Sequence, residues 1–253
     1  MTPLDAVAVA VAGLAAGAVN AVVGAGSLIT FPTLLAVGLP PVLANVSNTV
    51  GLVPGSLSAV VGYRHELRHQ RQRALRLAAA SAVGGVVGGA ALLILPDGVF
   101  RRAVPVLILG ACLLMAAQPR VARWLASREE GHPDGGRPLL GGVLGTGVYG
   151  GYFGAAQGVV LMALLGMFVD DDLQRLNAVK NVLALVANTV AAVLFVVATA
   201  VSWRSAALIA VGSVIGGQVG AHVGRRLTPA VLRATVVIVG SVVALILFAQ
   251  YYA

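Results

Sequence analysis

Lys180 is the one lysine in the chain, and it sits inside an apolar run rather than at its edge. An ionisable group in the middle of a membrane-spanning helix costs at least about 2.5–3.5 kcal/mol, so such a group is usually retained for function and turned toward protein. Asn177, Asn181 and Asn188 stand at i, i+4 and i+11, a spacing that places three amides on one helical face near the amine. Amides beside an ammonium group suit a small oxyanion. A second reading stands next to this one. Asp170, Asp171 and Asp172 mark a polar boundary a few residues away, toward which the Lys180 stem can snorkel. The first part of the chain carries a matching polar group, Asn45, Ser47, Asn48 and Thr49, followed by Pro54, which is expected to kink its segment.

Two glycine-rich stretches carry further polar residues: Asn20-Ala-Val-Val-Gly-Ala-Gly-Ser27 and Tyr149-Gly-Gly-Tyr-Phe-Gly-Ala-Ala-Gln-Gly158. Helix breaks at these places would free backbone amides near Gly26 and Gly154 and expose half-helix N-termini, which favour anions. Close helix approach explains the glycines equally well, but not Asn20, Ser27 and Gln157 beside them. A second glycine set, Gly84, Gly85, Gly88 and Gly89 with Gly216, Gly217 and Gly220, has the small-xxx-small spacing of helix contacts and is read as such. Gln218 and His222 are left as residues that can face a cavity.

Other chemistries find no support. No Gly-Lys-Ser/Thr follows the glycines, and no strand precedes them. His65, His69, His132 and His222 are scattered, so no metal or other cofactor is expected. No Ser/His or paired-Asp signature lies in an apolar run, and the chain is not read as an enzyme. The single cysteine, Cys112, is a buried small hydrophobe.

The elements that position these residues follow from composition. Of the 253 residues, 58% are hydrophobic and 10% charged, against about 25% charged in soluble domains. Apolar runs cover Leu4–Leu39, Val42–Tyr63, Leu77–Leu95, Val99–Ala117, Leu139–Val169, Leu176–Val201, Ala206–Val223 and Val231–Ala249. Several exceed the length of a bilayer span, so an all-α, multi-pass protein of the inner (plasma) membrane is expected, in contact with lipid. No basic residue precedes the first run, so it is expected to stay in place as a span rather than act as a cleaved signal. The net charge of +8 resides in short loops, as the positive-inside bias predicts, and excludes a nucleic-acid partner. Trp203, Tyr251 and Tyr252 read as interfacial anchors.

The chain also repeats itself. Val83–Gly89 matches Ile215–Ala221 at an offset of 132, Gly24–Leu28 matches Gly154–Gly158, and Asn45–Asn48 matches Ala178–Asn181, with Ser47 opposite Lys180. Two homologous membrane repeats, 1–118 and 138–253, joined by a cytoplasmic linker at 119–137, are therefore expected. Each opens with about 30 apolar residues, too long for one span and too short for two, so each should open with a broken or re-entrant helix. If both openings turn back, 13 basic residues lie on the cytoplasmic side against 3 outside; if both cross, the ratio is 10 to 6. The first arrangement fits better and makes the repeats inverted.

Asn20…Gly24-Ala-Gly-Ser-Leu-Ile29…Pro32, with Gly150-Gly-Tyr-Phe-Gly154…Gly158, Lys180 and Gly216-Gly-Gln-Val-Gly-Ala221, resembles the TauE/SafE sulfite-exporter family over nearly the whole chain. The resemblance implies export of small sulfur-containing anions such as sulfite, thiosulfate, sulfoacetate or other organosulfonates. An alternating-access site between the repeats would then hold the anion. Lys180 would supply charge, with Asn48, Asn181, Asn177, Asn45, Ser47, Asn20, Ser27, Gln157 and the amides near Gly26 and Gly154 around it. An anion channel or uniporter, and a scaffold without transport, remain as other readings. Oligomeric state is left open.

Overall fold

The computed structural model describes residues 1–68, 70–126 and 136–223, and near the C-terminus 234, 237, 238, 240–242, 244, 245 and 247–249. Among the described residues every regular element is an α-helix: α1 (Pro3–Val22), α2 (Ser27–Ala36), α3 (Pro41–Gly62), α4 (Arg71–Ile94), α5 (Asp97–Ala126), α6 (Gly136–Tyr152), α7 (Gln157–Phe168), α8 (Leu173–Ala198) and α9 (Trp203–Val223). His69, His132, Arg225, Arg226, Arg233, Tyr251 and Tyr252 lie outside the described residues, as does most of Val231–Ala249.

Local chemistry sets the helix starts. Thr2 caps α1 through a reciprocal pair with Asp5, and Pro3 follows at the first helical position. Asp172 accepts from the amides of Gln174 and Arg175 and starts α8. Two boundaries differ from the apolar runs. Helix α4 begins at Arg71, ahead of its apolar stretch, because arginine is a good helix former whose charge reaches water from a helical turn. Helix α5 runs to Ala126, so the expected linker at 119–137 begins as helix; its middle, 127–135, lies outside the described residues.

Among the described residues five helices are long and apolar enough to cross a membrane: α1, α4, α5 (over Asp97–Arg120), α8 and α9. Helix α3 has 22 residues but is not among them. It carries Asn45, Ser47, Asn48, Thr49, Ser56 and Ser58, all buried. It continues as helix through Pro54.

Helix α9 lies against α1 and α3, while α4 lies against α6 and α8. Helices α3 and α8 touch each other. Exchanging α1–α4 for α6–α9 leaves this contact pattern unchanged. Glycine makes the contacts close. A Cβ on Gly216 would strike the Leu14 carbonyl oxygen and one on Gly220 the Ala18 carbonyl oxygen, both on α1. One on Gly84 or Gly88 would strike Leu144 or Val148 of α6. Gly85 faces Ala187 of α8, and Gly217 faces Gly55 of α3. The second glycine set thus brings backbones together, as its spacing implies. Of the two residues left open to a cavity, Gln218 donates from Nε2 to the Ser58 carbonyl at 2.8 Å, and exposed His222 rests its Nδ1 on the Gln218 carbonyl.

An apolar cluster joins the halves at their centre, where Phe31 of α2 meets Phe153 edge to face at 5.3 Å and Phe100 of α5 meets both Tyr152 and Phe153. At one end of the bundle Asp171 pairs with Arg73 at 2.8 Å and Arg175 at 3.0 Å, tying the start of α4 to the α7–α8 connection.

Gly216→Ala forces α9 off α1 and should lower the melting temperature in detergent. Gly145→Ala on α6, with nothing within 4 Å of the added methyl, should hold or raise it, since helix propensity adds up to about 1 kcal/mol of stability. Equal melting temperatures for the two variants would contradict the glycine-mediated contact.

Candidate functional site

Helix α1 ends where the amides of Val23 and Gly24 both turn back to the Val19 carbonyl, at 2.8 and 3.1 Å, with Gly24 at φ +82°. Helix α6 ends in the same way. The amides of Phe153 and Gly154 share the Tyr149 carbonyl at 2.9 and 3.0 Å, and Gly154 has φ +74°. Glycine takes this left-handed conformation without a Cβ penalty, and so it ends helices. In each case the chain then starts back beside the helix it has left: Gly26 lies against Ala16, and the Gln157 side chain lies against Gly150. The opening elements are therefore broken helices.

A helix that ends inside protein leaves its last carbonyls without intrahelical donors, and buried carbonyls need partners. Here the donors come from the opposite half. Asn45 of α3 donates from Nδ2 to the Tyr152 carbonyl at the end of α6, at 3.0 Å. Asn177 and Asn181 of α8 donate to the Ala21 carbonyl at the end of α1, at 3.2 and 3.1 Å. Lys180 Nζ lies between them, 3.4 Å from the Asn20 carbonyl and 3.5 Å from that of Ala21. Helix α1 has no basic residue in its last turn, so Lys180 supplies from outside the positive charge that the negative end of the helix dipole favours. Lys180 is 1% exposed, and the snorkelling alternative does not hold.

The two breaks touch. The Gly158 amide donates to the Gly24 carbonyl at 3.0 Å, and a Cβ on Gly158 would come within 2.5 Å of the Gly24 Cα. The start of α7 thus crosses the break that follows α1. Around α2, Asn20 accepts from the Gly26 amide and donates to Ser56 Oγ. Asn48 donates to Ser27 Oγ at 3.2 Å and accepts from Thr30. The amides expected to be free at Gly26 and Gly154 are both taken, by Asn20 and by Tyr149. Ser47, the counterpart of Lys180, is engaged elsewhere and accepts from the Ser202 amide ahead of α9. Gln157, at the first position of α7, is 2% exposed, and its side-chain amide has no hydrogen-bond partner among the described residues. Ala156 just before it is the one described non-glycine residue with positive φ, +57°.

The structure therefore brings together Asn20, Gly26, Ser27 and Asn48 on one side of the crossing, and Asn45, Gly154 and Gln157 on the other. Asn177, Lys180 and Asn181 lie at the α1 end. Two members were not singled out from sequence, Thr30 and Ser56; Tyr149, which opens the second glycine-rich stretch, donates its hydroxyl to the Ala155 carbonyl at 2.6 Å. Thr30 lies three residues after Ser27 on the same face of α2, a spacing that marks it. A cavity of about 370 Å³ lies nearby between α5, α6 and α7, lined by Leu114, Thr146, Tyr149, Val160 and Leu164, but its lining is almost wholly apolar and includes no cationic side chain. Among the described residues no group of three His, Cys, Asp or Glu is placed to hold a metal.

The family model for the sulfite exporter TauE/SafE matches residues 9–247. A probable membrane transporter protein of Haemophilus influenzae is 26% identical over 235 residues, covering 89% of this chain and 88% of that protein. A probable membrane transporter protein of Sinorhizobium is 26% identical over 240 residues, covering 95% and 91%. The probable membrane transporter protein YfcA of Escherichia coli K12 is 25% identical over 231 residues, covering 90% and 83%. No solved structure matches.

Gly158→Ala places a methyl against the Gly24 backbone, with no flexible side chain to give way, and should destabilise the protein by about 1–3 kcal/mol. Melting of the purified variant in detergent measures this, and an unchanged midpoint would mean that the breaks do not press on each other.

Proposed function

The chain belongs to the sulfite exporter TauE/SafE family of membrane transporters, and on that premise we propose that it moves small sulfur-containing oxyanions such as sulfite, thiosulfate or sulfoacetate outward across the inner membrane. The observation that carries this reading is the crossing of the two helix breaks. The positive end of α7 lies there against the break that leads into α2, beside the only lysine of the chain, and no carboxylate is among the buried described residues.

In this reading 1–118 and 138–253 are two repeats of opposite orientation, and their opening helices turn back within the membrane. The exchange pattern of helix contacts supports a repeat, and the charge ratio supports inversion. Rocking of one repeat against the other would open the crossing to alternate sides. Lys180 acts on the anion mainly through its field, since its donors are directed at α1 carbonyls. In a low-dielectric surrounding that field reaches across the break. Asn48 and Asn181 each keep one amide hydrogen beyond those already used, and these remain for the oxyanion.

Flux of sulfite, thiosulfate and sulfoacetate in liposomes tests the proposal. Wild type should carry at least one of them, and Lys180→Met should lower that flux by tenfold or more. Folded wild type that moves none would remove the transport reading, and Lys180→Met with full flux would remove the role of the charge. A reporter fused at Ser202–Ser205 should read periplasm; a cytoplasmic signal would overturn the inverted arrangement.

A further inference from the structure

The polar groups at the crossing are not equally satisfied in the two halves. At the start of α2, Ser27 is held by Asn48. Gln157 occupies the equivalent place at the start of α7, and Asn181, the equivalent of Asn48, is turned to the Ala21 carbonyl instead. The Gln157 amide is left buried with both Nε2 and Oε1 unpartnered among the described residues. Asn45 is half-satisfied in the same way. Its Nδ2 is fixed by the Tyr152 carbonyl, which assigns the other atom as oxygen, and that Oδ1 is buried without a partner. Both side chains lie against the last turn of α6, Gln157 over Gly150 and Asn45 on Tyr152.

Native proteins rarely leave such groups unpaired, and a ligand is one thing that pairs them. The inventory is specific. Gln157 Nε2 offers donors, whereas Gln157 Oε1 and Asn45 Oδ1 both require one. A fully deprotonated dianion has acceptors only, and its oxygens would oppose those two carbonyl oxygens. A monovalent oxyanion that keeps one proton can accept from Nε2 and donate its O–H to an amide oxygen. The charge agrees. Lys180, when protonated, is a single positive charge near the crossing, and the Asp171 ion pairs with Arg73 and Arg175 lie at the end of the bundle instead. The titratable groups packed near the start of α7 are Tyr149 and Tyr152 of α6, Cys112 of α5 and Lys180 of α8, while Asp97, Arg101 and Arg102 stand in the first turns of α5 and Arg175 in the first turn of α8.

We propose that Gln157 and Asn45 form the seat of the transported ion, and that this seat selects a protonated monoanion, of the hydrogen sulfite type, over a bare dianion. This rests on the transport reading above and narrows it. The proton then crosses with the substrate, and no side-chain relay is needed.

Liposome flux measured against pH, with sulfite, thiosulfate and methanesulfonate, tests the seat. The rate of sulfite transport should fall about tenfold per pH unit once the second proton is lost. Methanesulfonate, a monoanion at every working pH but without an O–H, should be carried more slowly than hydrogen sulfite and its flux should show no such fall, whereas a fall common to both would assign the titration to the protein and overturn the proposal. Thiosulfate moving as fast as hydrogen sulfite would also overturn it. Gln157→Met should raise the half-saturation constant about tenfold while raising the melting temperature of the ligand-free protein, because an unpaired amide is removed. It should also abolish the rise in melting temperature that sulfite gives wild type in detergent. Gln157→Met with wild-type half-saturation would show that Gln157 does not touch the ion. Wild type inert to every anion would instead fail the transport reading itself.

Discussion

Two helices of this chain end inside the protein, and the carbonyls they leave behind must be met. Neither half can meet them alone. The end of α6 is closed by Asn45, a residue of the first half, and the end of α1 by Asn177, Lys180 and Asn181 of the second. An unpaired carbonyl in such surroundings costs several kcal/mol, more than most single contacts supply. This reciprocal closure holds the register of α3 and α8, and with it the positions of both breaks. The chemistry at the crossing follows from it, since the broken helices present their second segments there only while the first are capped.

Close backbone contact makes the closure geometrically possible. The amides of Asn45 and Asn177 are short, and they reach a carbonyl in the opposite half only if α3 and α8 are seated deep among their neighbours. Gly51 and Gly55 of α3 are pressed on α9, and Gly85 of α4 on α8, where any side chain would intervene. In membranes, where lipid removes the hydrophobic drive for helices to associate, such intimate contact supplies dispersion instead. The same economy of side chains leaves polar groups at the crossing few in number. Each is assignable, which is why a single unmatched amide stands out.

Much of this was legible in the residues. The all-helical class followed from run length and composition, and the regions of the breaks from the glycine-rich stretches 20–27 and 149–158 in apolar runs of awkward length. Asn177 and Asn181 do share a face with a common target, as their i, i+4 spacing implies. What the face meets was not legible. Periodicity tells which side of a helix is polar, not that Ala21 some 160 positions earlier supplies the acceptor. For the same reason the amides of Gly26 and Gly154 looked free, because the Asn20 side chain and the Tyr149 carbonyl that occupy them are set by turn geometry. Gln218 was open to a cavity on paper and is bonded to Ser58 in fact. Helix α5 outran its apolar stretch because helix propensity, rather than hydropathy, decides where a helix ends.

The closure has a direction in time as well as in space. A chain made from its N-terminus has Asn45 in place before the end of α6 exists, so the second break is finished as soon as it forms. The first break has no such provision. Ala21 and Asn20 wait for α8, more than 150 residues later in synthesis, with their carbonyls open in the meantime. During that interval α1 and α2 form an incomplete hairpin, the stretch of nascent chain most in need of shelter by the insertion machinery. Its rescue depends on the arrival of the one lysine the chain contains.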